Sequence, residues 1–204
     1  MPNAALLNKY NIPVPRYTSY PAVPHWKNGM DAEKWKDAFI KQFYKSNSTE
    51  GISLYLHLPF CESLCTYCGC NKKITTNHNV EEEYISVILK EWQMYRALMN
   101  EVPVIREIHL GGGTPTFFSP VRLNGLVKGI LKGSLVHPDS NFSLEGHPNN
   151  TTKEHLEILF EIGFRRISYG VQDNDPKVQK VINRIQPFEN VQKAIQMARD
   201  IGYQ

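Results

Sequence analysis

The sequence predicts an α/β protein on a parallel sheet, with four strand–helix units in chain order. Short apolar runs at 52–58, 106–110, 142–145 and 166–171 are each followed by a stretch of helical periodicity. Strand–helix alternation of this kind favours parallel strands with right-handed crossovers. The residues of most chemical character also stand just after the predicted strands, where α/β folds keep their sites. All four cysteines of the chain, Cys61, Cys65, Cys68 and Cys70, follow the first of them.

Composition sets the frame. The 204 residues, 41% hydrophobic and 21% charged, are enough for a domain with a real core. A formal charge of +3 gives no argument for nucleic acid. No apolar run approaches a membrane span, and residues 1–10 lack a signal-peptide core. With thiols expected to be reduced, the reading is cytoplasmic.

Residues 1–28 read as an irregular arm, because Pro13, Pro15, Pro21 and Pro24 forbid a long helix. Asp31 then caps a first helix, with Trp35, Ala38, Phe39, Gln42 and Phe43 on one face. In the first strand Ile52, Leu54, Leu56 and Leu58 alternate with Ser53, Tyr55 and His57, and Pro59 ends the ladder. Asn79 with Glu82 resembles a capping box opening a long helix. The expected buried stripe of that helix is Tyr84, Val87, Ile88, Tyr95, Leu98 and Met99.

The second strand runs into Gly111-Gly112-Gly113-Thr114-Pro115-Thr116, and Ser119-Pro120 opens a helix with Leu123, Leu126, Val127, Ile130 and Leu131 inward. The third ends at Glu145, before Gly146-His147-Pro148. Thr151 with Glu154 caps the next helix, which carries Leu156, Leu159 and Phe160 and stops at Gly163. The fourth strand ends at Gln172-Asp173. Asp175-Pro176 starts a short helix, Pro187 a longer one, and Gly202 closes it. A fifth strand is expected from about Gly202, so the chain divides into an arm and helix, 1–50, and a strand–helix domain, 51–204, truncated before that strand.

The spacing C-x3-C-x2-C suits a [4Fe–4S] cube held by three thiolates, which leaves one iron open to a ligand. The rival is structural zinc with Cys70 as the fourth sulfur, and a disulfide pair fits this spacing least. The glycine run permits either an ordinary tight turn or close approach of a ligand to the backbone. Glu145 needs donors, whether a lysine or arginine or a ligand ammonium. Gln172 offers a backbone contact or a ligand contact, Arg184 a carbonyl cap, and His57 and His109 read as core histidines with partners. A three-thiol cluster beside a glycine loop and a carboxylate suits an amino-acid chelate such as S-adenosylmethionine.

These motifs resemble the radical S-adenosylmethionine superfamily, through Cys61-x3-Cys65-x2-Cys68 after a strand and Gly-Gly-Gly-Thr-Pro on the next. More narrowly, the chain resembles the oxygen-independent coproporphyrinogen III oxidases. The specific marks are Arg16-Tyr17-Thr18-Ser19-Tyr20-Pro21, Cys68-Gly69-Cys70-Asn71, Gly170-Val171-Gln172-Asp173 and Asn183-Arg184. The resemblance implies a six-unit partial TIM-like barrel, of which this chain supplies four units. It implies oxidative decarboxylation of two propionates of coproporphyrinogen III to vinyls in haem biosynthesis, by a 5′-deoxyadenosyl radical. It places Cys61, Cys65 and Cys68 on the cluster, and Tyr55, Gly112 and Glu145 around the cluster-bound S-adenosylmethionine. Tyr67, Gly113, Thr114, Gln172 and Arg184 fall around a second molecule of it, and Cys70 is no ligand.

A reductant protein such as flavodoxin or ferredoxin, a monomeric state, and no membrane or nucleic-acid partner are also implied. The alternative is a haem chaperone of the same superfamily, against which the Tyr-Thr-Ser-Tyr-Pro arm and the residues after the third cysteine argue. Tyr67 stands where phenylalanine is common, and Gly146-His147-Pro148 replaces the more usual Val-Asp-Pro. With the later units absent, these residues alone are expected to bind a cluster poorly and to turn over nothing measurable.

Overall fold

The computed structural model describes residues 4–13, 21–27, 29 and 31–204. The Arg16 to Tyr20 portion of the arm motif lies outside the described residues. Two compact units are present, Met1–Asp37 and Ala38–Gln204. The first contains a short helix, α1 (Ala4–Tyr10), where the proline argument had left only irregular chain. Proline forbids helix only near itself, and none stands between Ala4 and Tyr10. Helix α2 (Ala32–Ser46) begins where Asp31 accepts from Lys34 N–H at 2.8 Å. On its expected apolar face Phe43 is buried and Phe39 half-buried, while Trp35, Ala38 and Gln42 are exposed.

In the second unit the elements follow as β1 (Ile52–Leu58), β2 (Phe60–Cys61), β3 (Lys73–Ile74), α3 (Val80–Leu98), β4 (Val104–Gly112) and α4 (Pro120–Leu131). Then come β5 (Leu135–Gly146), α5 (Lys153–Glu161), β6 (Phe164–Tyr169), α6 (Pro176–Val181) and α7 (Phe188–Ile201). Strands β1, β4, β5 and β6 form one sheet in that order, all parallel, and β2 and β3 make a two-residue parallel pair beside it. This is the strand–helix alternation of a partial TIM-like barrel. Gln204 N–H donates to Arg165 O at 2.8 Å, and Ile167 N–H to Gln204 O at 3.2 Å, on the free edge of β6.

Period-two alternation divides the sheet by face. Leu58, Ile108, Leu110, Phe142, Leu144 and Phe164 are buried in one core with Leu123, Leu126 and Ile130 of α4 and Leu156 and Leu159 of α5. Each such side chain stabilises the fold by about 1.5–3 kcal/mol. The opposite phase carries Tyr55, His57, His109, Ser143 and Glu145, so that face is polar.

Two caps differ from expectation. Asn79 is itself helical (φ −62°, ψ −16°) and its side chain caps nothing. Glu81, one position before the expected partner, turns inward and accepts from Ser119 N–H and Oγ–H, at 2.9 and 3.0 Å. Of the expected stripe of α3, Tyr84, Ile88, Tyr95 and Met99 pack against the core, where Ile85 and Trp92 are buried beside them, while Val87 is 52% exposed. At α5 the cap is Thr152, with His155 completing the box, because Thr151 is taken by His147 O and Thr116.

The glycine run is no ordinary tight turn. Gly113 N–H donates to Leu58 O and Thr114 N–H to Phe60 O, both at 2.9 Å, so the strand pairing continues into the loops. A Cβ on Gly113 would lie 2.6 Å from Pro59 O and 2.8 Å from Phe60 O, both rigid backbone. Gly113→Ala should therefore cost about 1–3 kcal/mol as overpacking, or roughly 2–4 °C of melting temperature per kcal/mol. Gly125→Ala, whose Cβ meets nothing within 4 Å inside α4, should hold or raise it. Thermal unfolding of the pair checks the assignment.

Candidate active site

Strand register sets the rim. Leu58 pairs with Gly112, and Gly146 with Tyr169, which brings the carboxyl ends of β1, β4, β5 and β6 together. Beyond Leu58 the chain enters the cysteine loop, which is tied at several points. Cys68 N–H closes a turn on Cys65 O at 3.1 Å, and Lys72 Nζ donates to Cys68 O and Cys70 O at 3.1 and 3.2 Å. Cys61 Sγ and Thr114 Oγ1 are hydrogen-bonded at 3.4 Å, joining the cysteine loop to the glycine loop. Burial pushes the Cys61 thiol up, and burial followed by the neighbouring Cys68 does the same for Cys70. A cation at the sulfur offsets that cost of forming thiolate.

Below the rim lies a polar floor. Tyr55 stacks on His109 with centroids 5.9 Å apart, and its hydroxyl meets His57 Nδ1 at 3.0 Å. His57 Nε2 donates to Asn71 O at 2.7 Å, which fixes its tautomer and leaves Nδ1 to accept. His109 Nδ1 meets Ser143 Oγ at 2.8 Å, and its Nε2 lies 3.8 Å from Glu145 Oε1. Glu145 Oε2 accepts Gly112 N–H at 3.2 Å, and among the described residues it forms no ion pair with lysine or arginine. Both histidines are half-buried on the polar face, so they belong to the site and not to the core.

Cys61, Cys65, Cys68 and Cys70 share one cavity of about 330 Å³ with Tyr67, Gly112, Gly113, Thr114, Glu145, Gln172 and Arg184. Of the residues expected at the site only Tyr55 is not part of its wall, and it reaches Glu145 through His109. The four thiols are free. Among the described residues no three His, Cys, Asp or Glu side chains converge closely enough to hold a single metal ion. Ligands of a cube bind separate irons and need not converge. Three unpaired thiols around a cavity open toward Glu145 and a glycine backbone are the donor set that a three-ligand [4Fe–4S] cluster requires.

Residues 55–204 match the model of the radical SAM superfamily. The chain belongs to that superfamily. The cofactors of a radical SAM protein, a [4Fe–4S] cluster and S-adenosylmethionine, are the ones these thiols and this cavity fit. The chain is 42% identical over 199 residues to the oxygen-independent coproporphyrinogen III oxidase of Helicobacter pylori strain J99, covering 96% of this chain and 43% of that protein. It is 34% identical over 203 residues to the enzyme of that name from Pseudomonas aeruginosa, covering 98% and 44%. The structure of coproporphyrinogen III oxidase from Escherichia coli superposes with a TM-score of 0.82 at 30% identity, over 98% of this chain and 43% of that one. The chain thus spans less than half the length of the relatives it matches.

As a radical SAM chain it has its own features at this rim. Gln172 takes a left-handed backbone, φ 68°, at the cavity wall. Arg184 caps a carbonyl as expected, but that of Gly170 after β6, with Nε at 3.1 and Nη2 at 2.8 Å. The Gly146 departure has a steric reason: a Cβ there would meet the Tyr169 ring at 2.8 Å, so the ring fills the volume a larger residue would take. Lys72, Ser168 and Tyr169 also line the cavity and went unread in the sequence. Lys72, alone in a loop, carries no periodicity, whereas Ser168 shares the polar phase of β6 with Arg166.

His147 lines the cavity as well, its Nδ1 accepting Asn149 N–H at 3.2 Å and its Nε2 facing the Gln186 amide at 3.2 Å. Gln186 Oε1 is otherwise buried without a partner, and an amide turned to place it against Nε2–H gives both that oxygen and the imidazole N–H a partner. Burial, then the Arg184 charge, push the His147 pKa from 6.5 down to about 4. Between those values the unfolded chain binds the proton and the native one does not, so stability falls as pH drops through that window. His147→Gln should flatten this arm, checked by urea unfolding from about pH 7 to about pH 4.

Proposed function

We propose that the protein carrying this chain catalyses oxygen-independent decarboxylation of coproporphyrinogen III to protoporphyrinogen IX. The observation that carries the reading is the single cavity shared by Cys61, Cys65, Cys68, the glycine loop and Glu145, in a chain 42% identical to an enzyme of that name. When bound, the cluster supplies the one electron that cleaves S-adenosylmethionine to the radical that abstracts hydrogen from each propionate chain.

The residues of the chain bind and orient. Cys61, Cys65 and Cys68 hold the cluster. Glu145, kept in place by Gly112 N–H and flanked by His109, accepts the ammonium of S-adenosylmethionine, and Tyr55 packs beside it. Tyr67, Gly113, Thr114, Gln172 and Arg184, which line the same cavity, take a second S-adenosylmethionine. Segment 51–204 carries this machinery, with 1–50 as an accessory arm. A flavodoxin- or ferredoxin-like reductant and a monomeric state complete the reading. A cytoplasmic site is supported by the free thiols, and no helix among the described residues is long and apolar enough to cross a membrane.

The test is anaerobic incubation of the full-length protein with S-adenosylmethionine, reductant and coproporphyrinogen III. Protoporphyrinogen IX should form with release of carbon dioxide and 5′-deoxyadenosine. Tight haem binding with no decarboxylation would overturn the reading in favour of a haem carrier.

A further inference from the structure

The turn between α6 and α7 grips the cysteine loop. Ile182 O accepts Thr66 N–H at 3.0 Å, Asn183 Nδ2 donates to Leu64 O at 2.8 Å, and Arg184 Nη1 points at Cys65 Sγ at 3.6 Å. Three successive residues of the turn thus hold three successive residues of the loop. Asn183 adopts a left-handed backbone, φ 51°, a conformation asparagine tolerates better than most residues. The frame behind the turn is stiff. Arg184 N–H donates to Gln179 O at 2.9 Å, and buried Gln179 bonds Asp173 O, Gln186 O and Gln186 N–H. Nε and Nη2 both donate to Gly170 O, which holds the guanidinium with Nη1 directed at the sulfur.

We propose that Arg184 raises the reduction potential of the cluster through its N–H directed at the Cys65 sulfur, and that the Ile182 to Arg184 turn keeps the loop in its ligating shape. This rests on the reading that Cys61, Cys65 and Cys68 hold a [4Fe–4S] cluster. Reduction adds one electron, and so one negative charge, to the cluster. A donor and a permanent positive charge beside a ligating sulfur stabilise the reduced form more than the oxidised one. Hydrogen bonds to the sulfurs are among the main determinants of such potentials. Arg184 is then a positioning and tuning residue for the cluster, a role separate from any contact with the second S-adenosylmethionine.

The two roles separate when the potential is measured without S-adenosylmethionine. Full-length protein, reconstituted anaerobically, is titrated with dithionite and followed by electron paramagnetic resonance, as wild type, Arg184→Met, Arg184→Lys and Asn183→Gly. Arg184→Met should lower the reduction equilibrium about tenfold, which is about 59 mV for one electron. Arg184→Lys keeps the charge but loses the fork, and should fall between. Asn183→Gly permits the left-handed backbone and keeps Arg184, so its potential should hold while iron is lost faster to a chelator. A wild-type potential in Arg184→Met with full iron content would overturn the proposal. If that variant loses its iron, Arg184→Lys decides, and an unshifted potential there overturns it too. Wild-type protein with no [4Fe–4S] signal would instead overturn the reading beneath it.

Discussion

In the full-length protein Cys61→Ser, Cys65→Ser and Cys68→Ser should each remove the cluster and the activity, whereas Cys70→Ser should keep its iron. The four free thiols line one cavity, and the proposed ligand set divides them three to one. Three of them complete the donor set of a cube, and a serine hydroxyl does not form the anion that iron requires. Losing an outer-shell partner costs roughly 10–100-fold in metal affinity or activity, so losing a direct ligand should exceed about 100-fold. In the proposed ligand set Cys70 is spare; it is exposed and the loop there is held through its carbonyl on Lys72, so its loss should leave the loop intact. Iron and sulfide analysis of the four variants, with the decarboxylation assay, checks this. Equal metal loss in all four would favour a site built on every thiol, as zinc would use.

Glu145→Gln should raise the KM for S-adenosylmethionine roughly 10- to 150-fold, the range of a hydrogen bond to a charged group. The carboxylate stands half-exposed at the end of β5, with Gly112 N–H on Oε2 and His109 beside Oε1. Glutamine keeps the shape and removes the charge that an ammonium needs. Iron content should stay at the wild-type level, and kcat should change less than KM. A variant with an unchanged KM would show that Glu145 serves only the Gly112 backbone. His109→Gln should give a smaller rise in the same direction, since it stands beside Glu145 and Tyr55 and not in the cavity wall.

Much of this was legible in the residues, for a physical reason. Strand β1 announces itself through strict alternation, and that same alternation carries the floor: Ser53, Tyr55 and His57 are its other phase. Reading both phases would have placed His57 at the site and not in the core. Proline and glycine marked the ends of α4, α6 and α7, because each acts on its own backbone. What stayed hidden depends on distant partners. Gly113 is constrained by the Pro59 carbonyl, which no local pattern records. Asn79 and Thr151 have the residue types of caps, but Asn79 caps nothing while Glu81 bonds Ser119, and the Thr151 hydroxyl is taken by Thr116. The clamp of Asn183 on Leu64 spans 119 positions and leaves no trace in either segment alone.

What the thiols bind decides the chemistry of this site. Full-length protein prepared anaerobically with iron and sulfide should show, on reduction, a [4Fe–4S] paramagnetic signal that changes shape when S-adenosylmethionine is added. Protein that instead holds zinc through all its cysteines, with no iron and no response to S-adenosylmethionine, would contradict that expectation.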